Sequence, residues 1–353
     1  MVTIGADFHK RTTNFHVLNE QGECIKRAKV INETPKLREF LESLPENRTL
    51  AIEATRSWGM LYEHTKDLVD HFYLGHPKKM KALTSSEMKN DKNDAEMIAK
   101  LTFGKLLPQA YVSSEMIRQL RGVLRLRSFL INQRRGIRNQ IQTLLDRNLW
   151  PTERPTSFKS PFCKRGLSWL SNLALPEKER FILDQSLQTF GEINTKINSI
   201  DEFLVSQNHD LPGLKYLQTT PGFKSGGINA YILLLEISDI SRFEKSKGLV
   251  YYAGLLPRQY SSGDKQRLGS LVKRANMHLR TALIESTFAA IRQNKTLKEY
   301  YASVKKNNGS GAAVIATARK LCCAVYYVLK EQKPFDPKFW IPSTTACHPL
   351  ASV

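Results

Sequence analysis

The sequence predicts a mixed α/β unit at the amino end, then a long helical arm and a mostly helical carboxyl-terminal region. Three observations support this prediction. Short β-rich runs alternate with helical segments over the first hundred residues, as in a layered α/β unit. A single amphipathic segment then covers 114–148, and well-patterned helical segments follow it. With 353 residues, the chain is long enough for two or three structural units.

The first hundred residues predict an antiparallel meander followed by alternating helices and strands. Helices are expected at TPKLREFLESL, with Thr34 as N-cap and Pro35 in the first position, and at MLYEHTKDLV. Strands are expected at VTIGADF, TNFHVLN, ECIKRAKVI, TLAIEA and HFYLGHP. We therefore place a first domain at 1–110.

The segment 114–148 predicts a helical arm because its apolar residues recur at three-, four- and seven-residue steps. Its length suggests a coiled coil within a region 111–210, with INTKINSIDEFLV as the returning helix. Guanidinium groups suit phosphate, although a solvated helical face is the plainer alternative. The segment carries eight arginines: Arg118, Arg121, Arg125, Arg127, Arg134, Arg135, Arg138 and Arg147.

A third region, 211–335, opens with LPGLKYLQTTPGFKSGGINAYILLLEI, a pattern similar to a helix-hairpin-helix. In that module, backbone N–H groups at a helix N-terminus contact nucleic-acid phosphate. A purely structural pair of helices is the alternative. NMHLRTALIESTFAAIR and GAAVIATARKLCCAVYYVL predict core helices, and 336–353 is expected to be a loose tail.

The charge is strongly basic and unevenly distributed. The chain has 53 Lys and Arg against 33 Asp and Glu, a net charge of +20. Residues 1–110 carry 17 basic and 15 acidic residues, or +2, whereas 111–353 carry 36 and 18, or +18. Such an excess favours a polyanionic partner, because neutralised phosphates release condensed counterions. We expect that partner to bind beyond residue 110.

Cysteine usage and the amino end predict a cytoplasmic protein. The five cysteines are scattered and include no C-x-x-C spacing, which indicates reduced thiols. MVTIGADFHK lacks the cationic and apolar regions of a signal peptide, and no apolar run approaches 18 residues. We expect no membrane partner.

Four carboxylates form a candidate metal site. Asp7 ends the first strand, Glu53 ends TLAIEA, and Asp91 and Asp94 lie three residues apart in a predicted helix. Carboxylates from two strand ends and one helix can converge on Mg²⁺ or Mn²⁺, with phosphate supplying further oxygens. The alternatives are local: Asp91 and Asp94 as helix-capping residues, and Glu53 and Asp7 in surface ion pairs with Arg56 and Lys10.

The stretch YSSGDKQRLGSLVKRAN places Ser261 and Ser262 among cations and beside Gly263. A serine hydroxyl needs a base, a metal or cations to attack phosphate, and a glycine lets backbone approach the phosphate closely. Turn serines in a flexible basic loop are the alternative. The nearby cations are Arg258, Lys265, Arg267, Lys273 and Arg274.

Several motifs together resemble those of DEDD-type insertion-sequence transposases, relatives of the Piv DNA invertase. The resemblance covers residues 1 to about 335, and its last block is the most specific because it joins several motifs. Two positions depart from the family pattern: Asp264 follows the glycine where small residues are usual, and Ala275 replaces a common glycine. In order, the motifs are IGADFHK, AIEATRSWG, KNDKNDAEMIAKL, TTPGFKSGG and FEKSKGLVYYAGLLPRQYSSGDKQRLGSLVKRANMHLRTALIE.

The resemblance implies a RuvC-like (RNase H-type) first domain, a coiled coil and a transposase domain with a nucleophilic serine. Carried over by position, Asp7, Glu53, Asp91 and Asp94 match the four metal-binding acids, and Ser262 matches the nucleophile, with Ser261 as the alternative. It further implies Mg²⁺ or Mn²⁺, donor and target DNA, a noncoding bridge RNA, and homodimers that assemble into tetramers in the bacterial cytoplasm, associated with the nucleoid when bound to DNA.

We expect nucleic acid to contact eleven basic residues: Arg118, Arg121, Arg125, Arg134, Arg138, Lys224, Arg258, Lys265, Arg267, Lys273 and Arg274. Other function classes stay open on the residues alone. One is a metal-dependent nuclease, Holliday-junction resolvase or unguided DNA invertase, and another is a non-catalytic nucleic-acid-binding protein.

Overall fold

A five-stranded mixed sheet organises the first of the two units into which the chain divides, Met1–Val112 and Ser113–Val353. The computed structural model describes residues 1–55, 57–83, 91–149, 153–207, 211–223, 227–262, 265–272 and 275–340. The strands of the sheet are β1 (Val2–Phe8), β2 (Thr12–Leu18), β3 (Cys24–Ile31), β4 (Arg48–Glu53) and β5 (His71–Gly75).

The order of the strands is β3-β2-β1-β4-β5, with β1 in the centre. β2 is antiparallel to β1 and to β3, whereas β4 is parallel to β1 and to β5. Almost every residue of β1 is buried, as expected of a strand covered on both faces, while the outer strand β3 is mostly exposed and carries lysine and arginine. The five predicted strands are confirmed, and the topology is consistent with an RNase H-like unit.

Within the described part of the first unit, four α-helices accompany the sheet: α1 (Thr34–Glu42), α2 (Trp58–Thr65), α3 (Pro77–Leu83) and α4 (Asp91–Phe103). The prediction of Thr34 as N-cap was wrong by one residue. Glu33 has the extended backbone of a cap, and its carbonyl accepts a hydrogen bond from the Leu37 N–H at 3.0 Å. Pro35 is the second residue of the helix, one position later than predicted, and still lies in its first turn.

The close contact between α4 and β1 depends on Gly5. A Cβ atom at position 5 would lie 2.1 Å from the Ala95 carbonyl oxygen and 2.5 Å from the Ala99 amide nitrogen. These are backbone atoms, so they cannot rotate out of the way as a side chain could. A glycine in the central strand therefore brings the backbone of the helix directly onto the sheet.

The second unit consists mainly of helices, and its main elements lie within the part of the chain that the structure describes. Ser114 caps the first helix by accepting a hydrogen bond from the Ile117 N–H, which confirms the predicted helix over 114–148. The helices are α5 (Glu115–Asn148), α6 (Lys164–Ser171), α7 (Glu177–Ser206), α8 (Leu214–Leu217), α9 (Ile228–Ile237), α10 (Ser246–Tyr252), α11 (Met277–Gln293) and α12 (Lys295–Glu331).

The arm is an antiparallel pair formed by α5 and α7. Its cross-helix contacts run in opposite directions along the two helices: Arg127 with Asp201, Arg134 with Asn194, and Arg147 with Glu179. The predicted returning helix is confirmed within α7. A supercoiled coiled coil, and the domain divisions 111–210, 211–335 and 336–353, stay predictions.

Helices α9, α11 and α12 contribute most of the carboxyl-terminal core, together with the base of α5. α12 is two helical stretches that meet at Gly309, whose φ of 79° is not helical. By length and composition α12 could cross a membrane, but 61% of its apolar window is buried inside the protein. It therefore has the properties of a core helix. Of the predicted tail, the structure describes a 3₁₀ turn at Pro337–Trp340.

A two-stranded antiparallel hairpin, β6 (Pro257–Ser262) and β7 (Lys265–Leu271), departs from the sequence prediction, which gave no strand there. The stretch has few apolar residues and no clear alternation, so its strands carry little sequence signal. In the predicted helix-hairpin-helix, α9 is confirmed, the preceding helix α8 is a single turn, and residues 224–226 lie outside the described residues.

We expect Gly5→Ala to destabilise the first unit by about 1–3 kcal/mol, because the added methyl group must displace helix backbone. Hydrogen exchange measured by mass spectrometry should become faster in peptides that cover β1 and α4. Gly104→Ala is the matched control, since its Cβ would meet nothing closer than 3.4 Å. Equal effects of the two substitutions would contradict the packing argument.

Candidate active site

Two of the predicted acids lie at the ends of neighbouring parallel strands. In the register of β1 and β4, Ala6 pairs with Ile52, so Asp7 and Glu53 follow side by side. Asp7 is only 7% exposed. A buried carboxylate is costly unless it is paired or bound to a cation. The sheet thus brings two of the four predicted acids to one edge.

Helix α4 carries the other two acids in its first turn. Asp94 directly precedes Ala95, the residue whose carbonyl oxygen packs against Gly5 two positions before Asp7. The close approach at Gly5 therefore holds the start of α4 near the end of β1. Asp91 is the first residue of the same helix, and its side chain lies outside the described residues.

Other polar groups surround this strand edge. His9 Nε2 lies 2.8 Å from Asp7 Oδ2. Thr55 Oγ1, two residues beyond Glu53, and His76 Nδ1, directly after β5, are buried atoms that no described protein group hydrogen-bonds. Buried polar atoms of this kind need water, an ion or a ligand. The edge therefore has the polarity of a binding site.

The donor set fits a hard divalent cation. Among the described side chains, no three His, Cys, Asp or Glu residues are gathered closely enough to enclose a metal ion. Mg²⁺ does not require such an enclosure, because proteins commonly hold it through one or two carboxylates while water and substrate phosphate supply other oxygens. Asp7 and Glu53, with the acids of α4, offer carboxylates of this kind.

Ser262 is the last residue of β6, and its backbone pairs with Lys265 across the hairpin. Gly263 and Asp264 connect the two strands and lie outside the described residues, as do Lys273 and Arg274. The register shifts between Pro257 and Gln259, at Arg258, which is half-buried. Bulges of this kind redirect side chains and are frequent near active sites. Lys265 and Arg267 lie on β7, whereas Lys224 lies outside the described residues.

The predicted arginines of the arm make contacts within the protein. Arg121 donates from Nε to the Leu235 carbonyl at 2.8 Å and from Nη2 to the Glu236 carbonyl at 3.2 Å, at the end of α9. Burial lowers the pKa of Arg121. A cation at a helix C-terminus satisfies carbonyls that have no partner in the helix. This arginine therefore ties the arm to the core.

The remaining predicted arginines differ in exposure. Arg118 donates to the Ser113 carbonyl, and Arg134 donates to Asn194 Oδ1 at 3.0 Å. Arg138 is exposed and lies over the Phe162 ring, 4.6 Å from its centroid. Its guanidinium therefore faces solvent with one side supported by an aromatic ring.

Glu236 is the most buried acid of the second unit among the described residues, with 1% exposure. Arg125 binds both of its carboxylate oxygens, one of them at 3.2 Å, and Asn276 Nδ2 donates to Oε2 at 2.7 Å. Burial raises the pKa of Glu236, but hydrogen bonding to Arg125 and the charges of Arg125 and Arg121 outweigh it and hold the pKa below its usual value. The carboxylate is thus kept ionised inside the core.

Two family models match the chain in the regions that hold these sites. A DEDD transposase model of the IS110 type matches residues 4–149, and the model of the transposase IS116/IS110/IS902 family matches residues 214–302. Between them they contain the four acids and both serines. The chain belongs to the IS110-type DEDD transposases.

Curated relatives support this assignment over most of the transposase. It is 26% identical over 272 residues to the transposase for insertion sequence element IS1111A of Coxiella burnetii, covering 73% of this chain and 71% of the relative. It is 24% identical over 344 residues to the transposase for insertion sequence element IS1328 of Yersinia enterocolitica, covering 94% and 98%. A probable family 20 transposase of Pseudomonas aeruginosa is 24% identical over 296 residues, covering 83% and 86%.

Sequence reasoning missed several residues that make buried or polar contacts within each unit of this transposase. A carboxylate inside the apolar run YILLLEI was a usable signal for Glu236, since an unpaired acid would be costly there. His9 and His76 gave no comparable signal. Asn276 caps α11 by accepting from the Leu279 N–H at 3.0 Å, a role typical of asparagine but visible only once the start of the helix is known.

Proposed function

We propose that this insertion-sequence transposase cleaves and exchanges DNA strands through a covalent link between Ser262 and a DNA phosphate. Asp7, Glu53, Asp91 and Asp94 would hold Mg²⁺ or Mn²⁺. The observation that carries this proposal is the placement of Asp7 and Glu53 at adjacent parallel strand ends, with the start of α4 packed close by at Gly5. The family assignment supports the same roles.

The proposed chemistry conserves phosphodiester bonds. The Ser262 hydroxyl loses its proton as its oxygen attacks the scissile phosphorus, and the bond from phosphorus to one bridging sugar oxygen breaks. That sugar oxygen takes up a proton and leaves as a hydroxyl. A hydroxyl of another strand can then attack the phosphoserine and release Ser262. Strand exchange therefore needs no external energy source.

The bound cation would orient the phosphate and stabilise the charge that develops on its oxygens. The protein contributes the carboxylates that would hold this cation in place. His9, in contact with Asp7, would fix the orientation of that carboxylate. Around the serine, Arg258, Lys265 and Arg267 would bind neighbouring phosphates of the DNA, and Lys224, Lys273 and Arg274 would extend the same contacts.

We further propose that a noncoding bridge RNA selects the donor and target DNA, and that homodimers assemble into tetramers in the bacterial cytoplasm, near the nucleoid. The net charge of +18 beyond residue 110 supports a nucleic-acid partner for this part of the chain. Of the five arginines predicted to bind it, Arg138 is the best placed, because its exposed guanidinium can stack on a base or bind phosphate. Nucleic acid would also be bound by Arg118, Arg121, Arg125 and Arg134, in addition to their contacts within the protein.

Ser262→Ala should abolish the covalent protein–DNA adduct formed on a nicked suicide substrate, because no other atom replaces the attacking oxygen. A denaturing gel separates the adduct from free DNA. Ser261→Ala is the matched control and should keep the adduct. If Ser262→Ala still cuts the DNA to a hydrolysed product, the transposase acts as a metal-dependent nuclease or resolvase, and the phosphoserine proposal is wrong.

Asp7→Asn should slow adduct formation roughly 10²–10³-fold, because it removes a negative charge that would hold the cation at the phosphate. The amide keeps the shape of the side chain, so RNA binding measured by filter retention should be unchanged. Asp67→Asn is the control in the same unit, since Asp67 is an exposed partner of Arg38. Full adduct formation by Asp7→Asn across a Mg²⁺ titration would exclude a role of Asp7 in metal binding.

Arg138→Gln should weaken RNA binding and reduce the slope of log affinity against log salt by about 1, with little change in thermal stability. Arg121→Gln should instead lower the melting temperature, because it removes the donors at the end of α9. RNA titrations at several salt concentrations and melting curves test both variants. An unchanged salt slope for Arg138→Gln would remove Arg138 from the RNA surface.

A further inference from the structure

Arg280 lies in the first turns of α11 with 9% of its surface exposed. Its Nε donates to the Ala253 carbonyl at 3.2 Å, and its Nη2 donates to the Gly254 carbonyl at 2.7 Å and also to the Val272 carbonyl. Burial lowers the pKa of this guanidinium, which nevertheless stays charged. The three accepting carbonyls thus stabilise a charge that water reaches poorly.

The carbonyls belong to the two ends of the hairpin β6–β7, the serine hairpin, which contains Ser261 and Ser262. Ala253 and Gly254 lie just before β6, and Val272 lies just after β7. The Val272 N–H also donates to the Leu256 carbonyl at 3.1 Å, which closes the hairpin at its base. One side chain therefore binds the backbone where the hairpin leaves the core and where it returns.

Gly254 makes room for this arrangement. Its φ of 66° is in the left-handed region, which favours glycine. A Cβ there would lie 2.1 Å from Arg280 Nη2 and 2.2 Å from the Ala275 Cβ. Arg280 and Ala275 thus occupy the space that a side chain at position 254 would need. The bend before β6 and the position of the guanidinium depend on each other.

The helix that carries Arg280 is itself held in place. Asn276 accepts from the Leu279 N–H as the N-cap of α11, donates through Nδ2 to buried Glu236, and donates through its backbone N–H to the Tyr252 carbonyl at 2.9 Å. These bonds link the start of α11 to α9 and α10. Arg280 therefore reaches the hairpin from a fixed support.

We propose that Arg280 is a positioning residue for the nucleophile. It holds both ends of the hairpin β6–β7 and thereby fixes the direction in which the hairpin, with Ser262, extends from the core. The inference rests on the proposed role of Ser262. A displacement of about 1 Å at a reacting group can cost about 100-fold in rate, so an anchor remote from the phosphate affects the chemistry. Arg280 itself contacts backbone, and its effect acts through the serine.

The test compares Arg280→Gln with Arg292→Gln, the same change at an exposed position near the end of α11. Arg280→Gln should form the protein–DNA adduct about 100-fold more slowly at saturating DNA, with unchanged DNA affinity. Hydrogen exchange should become faster in peptides that cover 255–272 and stay unchanged in α12. Arg292→Gln should behave like the wild type in all three measurements.

Arg280→Lys keeps the charge but has fewer donors, so its adduct rate and exchange should be intermediate, and it decides the question if Arg280→Gln does not fold. Wild-type adduct rates and exchange in the variants would overturn the inference, as would a loss of protection spread evenly over α11 and α12. The proposed function is judged separately. If the wild type forms the adduct and Ser262→Ala abolishes it, the proposed function holds whatever the results for Arg280. If the wild type forms no adduct, hydrogen exchange alone tests whether Arg280 holds the hairpin.

Discussion

The approach of one peptide backbone to another at Gly5 is the contact on which the first unit depends. Parallel pairing of β1 and β4 aligns the carboxylates of Asp7 and Glu53, but a sheet alone presents such groups in one plane only. The missing side chain at Gly5 lets α4 lie directly on the central strand and bring its first turn toward the same edge. A site made from a sheet edge and a helix can surround a phosphate from more than one side, which a strand edge by itself cannot do.

In the second unit, the basic residues stabilise the fold as well as contribute positive charge. An arginine that binds a buried acid, as Arg125 binds Glu236, offsets the cost of burying that acid and joins two helices. The same residue adds to the positive potential that attracts nucleic acid over longer range. The position of an arginine in the sequence does not distinguish these two uses, but its contacts do. Arg121 is half-buried and donates to carbonyls at the end of α9, whereas Arg138 is exposed and lies over an aromatic ring.

The sequence predicted the elements well where periodicity was strong and poorly where the structure depends on contacts. The buried strand VTIGADF and the long amphipathic helix from Glu115 were both identifiable by pattern, since one face or both faces must be apolar. The hairpin β6–β7 was not, because polar strands have no apolar period. Asp7 and Glu53 were recognisable in the sequence as acids at predicted strand ends, where the structure places them. Glu236, Asn276 and Arg280 instead matter through partners distant in the chain.

The polarity of the serine hairpin explains why its support must come from elsewhere. A two-stranded hairpin is at best marginally stable in water, and the sequence of this one contains few apolar residues. In the proposed mechanism Ser262 must reach a phosphate, which requires exposure and cations that a packed apolar face would exclude. Both requirements can be met only if the order of the hairpin is imposed at its base. Hydrogen bonds from the buried Arg280 guanidinium to the backbone at the two ends of the hairpin can do this with a polar group. If Ser262 acts as proposed, the residues that determine its geometry can therefore lie in the helical core, away from the motif that contains it.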